Sequence, residues 1–197
     1  VKLSIKDLEN WKIENSNENI SIVEKADFFV YGSLSSRDSV SRNTLEQLLA
    51  VAKYKIFDVN LRVPHYTKKN VLDLLHAADF IKFNDDELNE ICEDLNSNKK
   101  SLEQNIKFIA KETNTDTVCV TLGSHGAVLY CNDTFYHNCG FKVNVVDTVG
   151  SGDSFLASLI IMLMNGEDPQ YAINFASAVG AIVAQNEGAN PVISQSE

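Results

Sequence analysis

A chain of 197 residues with 44% apolar content can bury one good core, and it reads as a single soluble globular domain rather than two. Its formal charge of −10 excludes a nucleic-acid or anionic-membrane surface, because either needs a clustered basic face. Cys92, Cys119, Cys131 and Cys139 contain no CxxC pair and no zinc-ligand spacing beyond a loose Cys131, His137, Cys139 trio, which points to free thiols in a reducing, cytoplasmic setting.

In chain order, residues 1–26 are rich in Asn, Glu, Lys and Ser with little apolar periodicity. They read as a poorly ordered opening segment, with a short helix around Ile5 to Trp11 as its one ordered feature. Asp27 to Gly32 is an apolar run ending in glycine, which predicts a buried strand. Arg42 to Lys53 predicts a helix with Leu45, Leu48, Leu49 and Ala52 on one face. The alternation then repeats: strand Lys55 to Val59, helix Lys68 to Ala78, strand Phe80 to Phe83, helices Asp85 to Leu95 and Leu102 to Thr113, strand Thr117 to Thr121. Such βαβα order with short connections predicts a parallel sheet covered by helices on both faces. Ala127 to Cys131 and Thr134 to His137 form a hairpin across Asn132-Asp133, an antiparallel addition at the sheet edge. Two helices close the chain, one from about Asp153 to Met164, the other capped by Asp168 and followed by Gly188. Their apolar residues, Phe155, Leu156, Leu159 and Leu163, then Ala172, Phe175, Val179, Ile182 and Val183, are assigned to the core. The run from Phe155 is about half the length a bilayer requires, so neither a membrane span nor a signal peptide is read.

The chemistry concentrates in Asp147-Thr148-Val149-Gly150-Ser151-Gly152-Asp153-Ser154-Phe155, where two glycines and a carboxylate stand at a loop-to-helix junction. Gly150 and Gly152 remove side chains that would hold an anion off the backbone, and the helix start supplies unpaired N–H groups. Asp153 then stands beside the bound phosphate, placed to take a proton from an attacking hydroxyl. A Walker A loop would need a Gly-Lys-Ser/Thr ending, and a dinucleotide fingerprint would need a glycine where Phe155 stands. A plain glycine turn with Asp153 capping the helix is the structural alternative.

Three further segments leave strand ends, where ligands gather in parallel α/β sheets. Asp58, Asn60 and Arg62 occupy alternate positions, so they share a side if the chain stays extended. Arg62 would reach a phosphate or substrate oxygen, or else make a surface salt bridge. Asn84 and Glu87 have capping-box spacing. Thr121-Leu122-Gly123-Ser124-His125-Gly126 joins two strands, as a glycine-containing hairpin turn would.

Together these segments resemble, in order and spacing over residues 27–191, the ribokinase-like sugar kinases of the phosphofructokinase-B (PfkB) family, and among them most the fructokinases. Relatives usually read Gly-Ala-Gly-Asp, so Ser151 is a small-for-small departure. The resemblance implies a ribokinase-like three-layer α/β/α fold with a mostly parallel sheet and an antiparallel edge hairpin, residues 27–197 being its C-terminal nucleotide-binding and catalytic part. It further implies that the N-terminal strands and the lid are missing, which would leave apolar surface exposed. ATP-dependent phosphorylation of a sugar hydroxyl is the implied activity. Asp153 would be the base, the amides of Gly150, Ser151 and Gly152 the anion hole, and Asp58, Asn60, Arg62 and Asp153 the sugar contacts. ATP would meet Asn84, Glu87, Thr121, Gly123, Gly126, Thr148, Ser177 and Gly188, although many relatives carry Asn where Ser177 stands. Asn84 and Glu87 would hold Mg2+ through water, and several relatives also use K+ at the backbone near Asp147 and Gly188. The implied partner is a small-molecule sugar, fructose first, then 2-keto-3-deoxygluconate or ribose, with no nucleic acid and no membrane. A homo-oligomer stays open, but without the N-terminal segment a lid-mediated dimer is not expected. The alternative is a truncated, catalytically silent nucleotide-binding module.

Overall fold

The computed structural model describes residues 12–193. Among them are seven α-helices, α1 (Asn17–Lys25), α2 (Ser39–Val51), α3 (Lys68–His76), α4 (Asp85–Asp94), α5 (Leu102–Thr113), α6 (Ser151–Met164) and α7 (Pro169–Ala184). The six strands are β1 (Phe29–Gly32), β2 (Lys55–Asp58), β3 (Phe80–Asn84), β4 (Thr117–Thr121), β5 (Ala127–Cys131) and β6 (Thr134–Asn138). They form one mixed sheet in sequence order. Where one compact body is expected, the chain divides into two units, Val1–Ile81 and Lys82–Glu197, the boundary falling inside β3.

In the first unit β1 and β2 run parallel, with Gly32 opposite Asp58, so both strands end at the same level. Burial drives this pairing: Tyr31, Ile56 and Phe57 are all nearly solvent-free. Tyr31 stacks on Phe57 with ring centroids 5.1 Å apart, and its hydroxyl donates to Leu74 O at 2.9 Å. Burial, followed by the nearby Asp79 charge, raises the Tyr31 phenol above its ordinary value, so it stays a neutral donor. Helix α2 starts three residues before the predicted Arg42, because the Asp38 carboxylate accepts from the amides of Val40 and Ser41, each at 3.0 Å.

The opening segment departs from expectation. The predicted helix around Ile5 to Trp11 lies outside the described residues, but Asn17–Lys25 is a helix rather than poorly ordered chain. Ser16 caps it, accepting from Asn19 N at 3.0 Å, and Val23 is its one buried residue. A cap and a single anchor produce no long apolar stripe, which is why periodicity missed it.

In the second unit β4 pairs antiparallel with β5, and β5 with β6. The β5–β6 hairpin turns where predicted, with Asn132 at φ +48° and Asp133 at φ +63°, the double left-handed step of a two-residue loop. Helices α6 and α7 pack against each other; the buried residues include Phe155, Leu156, Leu159 and Ile160 on α6 and Ala172, Ile173, Ala176, Gly180 and Val183 on α7. Gly180 allows this close approach, because a Cβ there would come within 3.3 Å of Ser151 O. The core face of α7 is consequently rotated from the expected one. Phe175 is 37% exposed and stacks beside Tyr171, while Leu163, Val179 and Ile182 are only half-buried. Small residues, not the largest ones, make this helix contact.

Candidate active site

The predicted nucleotide segments of the second unit meet around the end of β3. Its last residue, Asn84, caps α4: Asn84 Oδ1 accepts from Glu87 N at 2.8 Å, and Glu87 Oε2 accepts from Asn84 N at 2.9 Å. The capping box is therefore complete, with the Glu87 carboxylate buried. One residue earlier, Phe83 O accepts the Thr121 hydroxyl at 3.3 Å, which brings the ends of β3 and β4 together. The Thr121 proton is thus committed to the backbone, and its lone pairs remain for a ligand donor.

Beyond Thr121 the chain turns through a short 3-10 segment, Gly123–His125, closed by Leu122 N to Gly126 O at 2.8 Å. Two glycines hold this turn down. A Cβ on Gly126 would stand 2.0 Å from Asn138 O, and one on Gly140 would stand 2.4 Å from Ser124 O. Gly123, at φ +57° with no neighbour within 4 Å of its missing side chain, leaves its outer surface open.

The glycine loop opens α6, with Gly150 as N-cap at φ +80°. The first helical bond runs from Ser154 N to Gly150 O at 2.9 Å, so the amides of Gly152 and Asp153 precede the helix's own bonding. The Ser151 amide is different from expectation. It donates to Thr148 O at 3.2 Å, and the Ser151 hydroxyl donates to Gly180 O at 2.9 Å, which fastens this turn to α7. Asp153 and Thr148 are exposed.

Gly150 serves a further purpose that the sequence reading did not contain. A Cβ there would stand 2.4 Å from Ala189 O, so the glycine admits the chain that follows α7 rather than only an anion. The Asp147 carboxylate ties the same two segments, accepting from Val149 N at 3.0 Å and Gly188 N at 3.2 Å. Those backbone donors, Val149 first and then Gly188, hold it below the ordinary carboxylate value.

The Ser177 hydroxyl is buried on α7 with no hydrogen-bond partner among the described residues. In the first unit the Asp58 to Arg62 segment does not stay extended. Asn60 adopts φ +40°, Asp58 is buried, and Arg62 is exposed with its guanidinium donating to Leu61 O at 3.3 Å. The bend is held by the Ser33 hydroxyl, which donates to Asn60 O at 2.8 Å, and it breaks the alternation that would have put the three side chains on one side.

One residue was missed altogether. Lys82 lies within β3 between Ile81 and Phe83, 8% exposed, and a Cβ placed on Gly152 would stand 3.6 Å from its ammonium. An ammonium beside the first turn of α6 had one signal in the sequence, a lysine inside an otherwise apolar strand.

A glycine turn opening a helix, near strand ends, the Asn84–Glu87 capping box and an exposed aspartate, stands at the end of the sheet where α/β proteins gather their ligands. The chain belongs to the pfkB family of carbohydrate kinases, whose model matches residues 5–195. It is 29% identical over 191 residues to the probable fructokinase-2 of Arabidopsis thaliana, covering 89% of this chain and 56% of the relative. It is similarly 30% identical to fructokinase-2 of Solanum lycopersicum, covering 89% of this chain and 57% of the relative. The chain thus spans about half the length of the curated relatives it matches. The same fold occurs in 2-dehydro-3-deoxygluconokinase of Thermotoga maritima, with a TM-score of 0.78 at 21% identity over 89% of this chain and 59% of that one.

Proposed function

We propose that this chain carries the nucleotide-binding and base-bearing portion of a fructokinase-like sugar kinase, which transfers a phosphoryl group from ATP to a sugar hydroxyl. The observation that carries the reading is the start of α6, where the amides of Gly152 and Asp153 and the exposed Asp153 carboxylate stand together at one helix end. Phosphoryl transfer asks little covalent chemistry of a protein, so orientation and charge stabilisation supply most of the acceleration. The two amides receive charge on the transferred group, Asp153 orients the acceptor hydroxyl and takes its proton, and the Thr121 to Gly126 turn borders the nucleotide.

Magnesium would be held by Asn84 and Glu87 through water. Their capping bonds occupy one oxygen of each side chain, and no group of three or more His, Cys, Asp or Glu side chains suited to a metal gathers among the described residues. That donor set fits a hydrated ion arriving with the nucleotide, not an all-protein cage, and the ion would neutralise phosphate charge. A monovalent cation such as K+ would sit at main-chain carbonyls near Asp147 and Gly188. Fructose is the preferred acceptor. The sugar is the partner of this reading, and cytoplasm its setting.

The test is Asp153→Asn, assayed by ADP release on a sugar panel alongside nucleotide binding. Turnover should fall by about 100-fold or more, the scale of a positioned general base, with ATP affinity nearly unchanged. Near-normal turnover would remove Asp153 from the reaction, and nucleotide binding without turnover on any sugar in the unsubstituted chain would favour a silent binding module.

A further inference from the structure

We infer that Lys82 is a catalytic residue of this same site, its ammonium donating to the phosphoryl group held over the Gly150–Asp153 turn; the inference rests on the kinase reading. Strand β3 is buried along Phe80, Ile81, Lys82 and Phe83, and a lysine at such a position needs partners for its charge, because desolvation opposes it. Its tip reaches the first turn of α6, 3.6 Å from where a Cβ on Gly152 would stand.

Two positive features therefore converge on one volume. The start of α6 carries partial positive charge from its amides, and the ammonium adds a full charge beside it. An ammonium has three donors, so a protein contact to one leaves others for an anion. The ligand this geometry takes is a terminal phosphate with several acceptor oxygens, met by amides from one side and a point charge from the other. Charge that grows on the transferred group during reaction would be met by the same donor, which predicts an effect on turnover beyond that on binding.

The experiment compares ATP, ADP and adenosine binding by calorimetry in the full chain and in Lys82→Met and Lys82→Arg, with turnover measured in parallel. Lys82→Met should weaken ATP by about tenfold or more, the scale of one charge-assisted bond, leave adenosine unchanged, and lower kcat further than it raises KM. Lys82→Arg should recover part of the ATP affinity. Equal weakening of ATP and adenosine would assign Lys82 a structural part only, and no change in either would remove it from the site. Failure of the unsubstituted chain to bind any nucleotide would overturn the kinase reading itself, a result distinct from the other two. Because Lys82→Met could fail to fold, a second measurement uses the unsubstituted chain with an acyl phosphate of ATP. There the unprotonated lysine amine attacks the acyl carbonyl, the acyl–phosphate bond breaks, an amide forms and ATP leaves. Mass spectrometry should find the acyl group on Lys82, and its absence there would sink the proposal.

Discussion

At Gly150 two demands coincide, a left-handed backbone and a neighbour pressed against the missing side chain. Gly166 has nearly the same backbone, φ +77°, with nothing within 4 Å. The pair separates strain from contact. Gly166→Ala should cost about 1–2 kcal/mol, the strain of the left-handed region alone, and leave nucleotide binding unchanged. Gly150→Ala should lower the melting temperature further and weaken ATP, because Ala189 must move. Equal losses of stability with intact binding in both variants would show that Ala189 yields at little cost. Residue by residue, the sequence made the glycine turn at the start of α6 legible, because paired glycines before an apolar helical run mark a left-handed step into a helix. It hid Lys82 inside an apolar run, and it put Phe175 on the core face because helix rotation depends on what packs, which one chain segment does not contain.

Among elements, β4, β5 and α5 have the boundaries that pattern and caps predict, because Ser101 and the left-handed Asn114 mark both ends of α5 chemically. The Asp58 to Arg62 segment did not, because its bend is held by Ser33 on a distant stretch of chain. The tie between the loop before α6 and the loop after α7 is likewise invisible in sequence, and it titrates. The folded chain keeps Asp147 below its ordinary 3.8, so its contribution to the tie is complete above that value and is lost as pH falls below it. The amide proton shifts of Val149 and Gly188 should both titrate with a midpoint under 3.8, and Asp147→Asn should abolish the transition. A midpoint at or above that value would mean the carboxylate is not bonded to them.

For the whole molecule, the net charge of −10 opposes a nucleotide anion at long range, while on the kinase reading the α6 amides and Lys82 would attract it at short range. At about 10 mM salt the screening length is roughly 30 Å, so an approaching ATP feels the entire chain; at about 150 mM it is roughly 8 Å, so the ligand feels chiefly the turn. Association of a fluorescent ATP analogue, followed by stopped flow, should accelerate as salt rises between these limits. A rate that falls would mean that the field at the mouth of the site is already positive. Fold class followed from the alternation of elements because each needs only its own stretch of chain. The division inside β3 did not, because it depends on contacts distributed over the molecule.

With Ala189 resting on Gly150 and Gly188 bonded to Asp147, the stretch after α7 is a wall of the glycine turn, not a trailing end. On the kinase reading, an affinity tag, fusion partner or trimming cut introduced there for convenience would in effect be an active-site mutation, made without touching a single residue that handles the reactants.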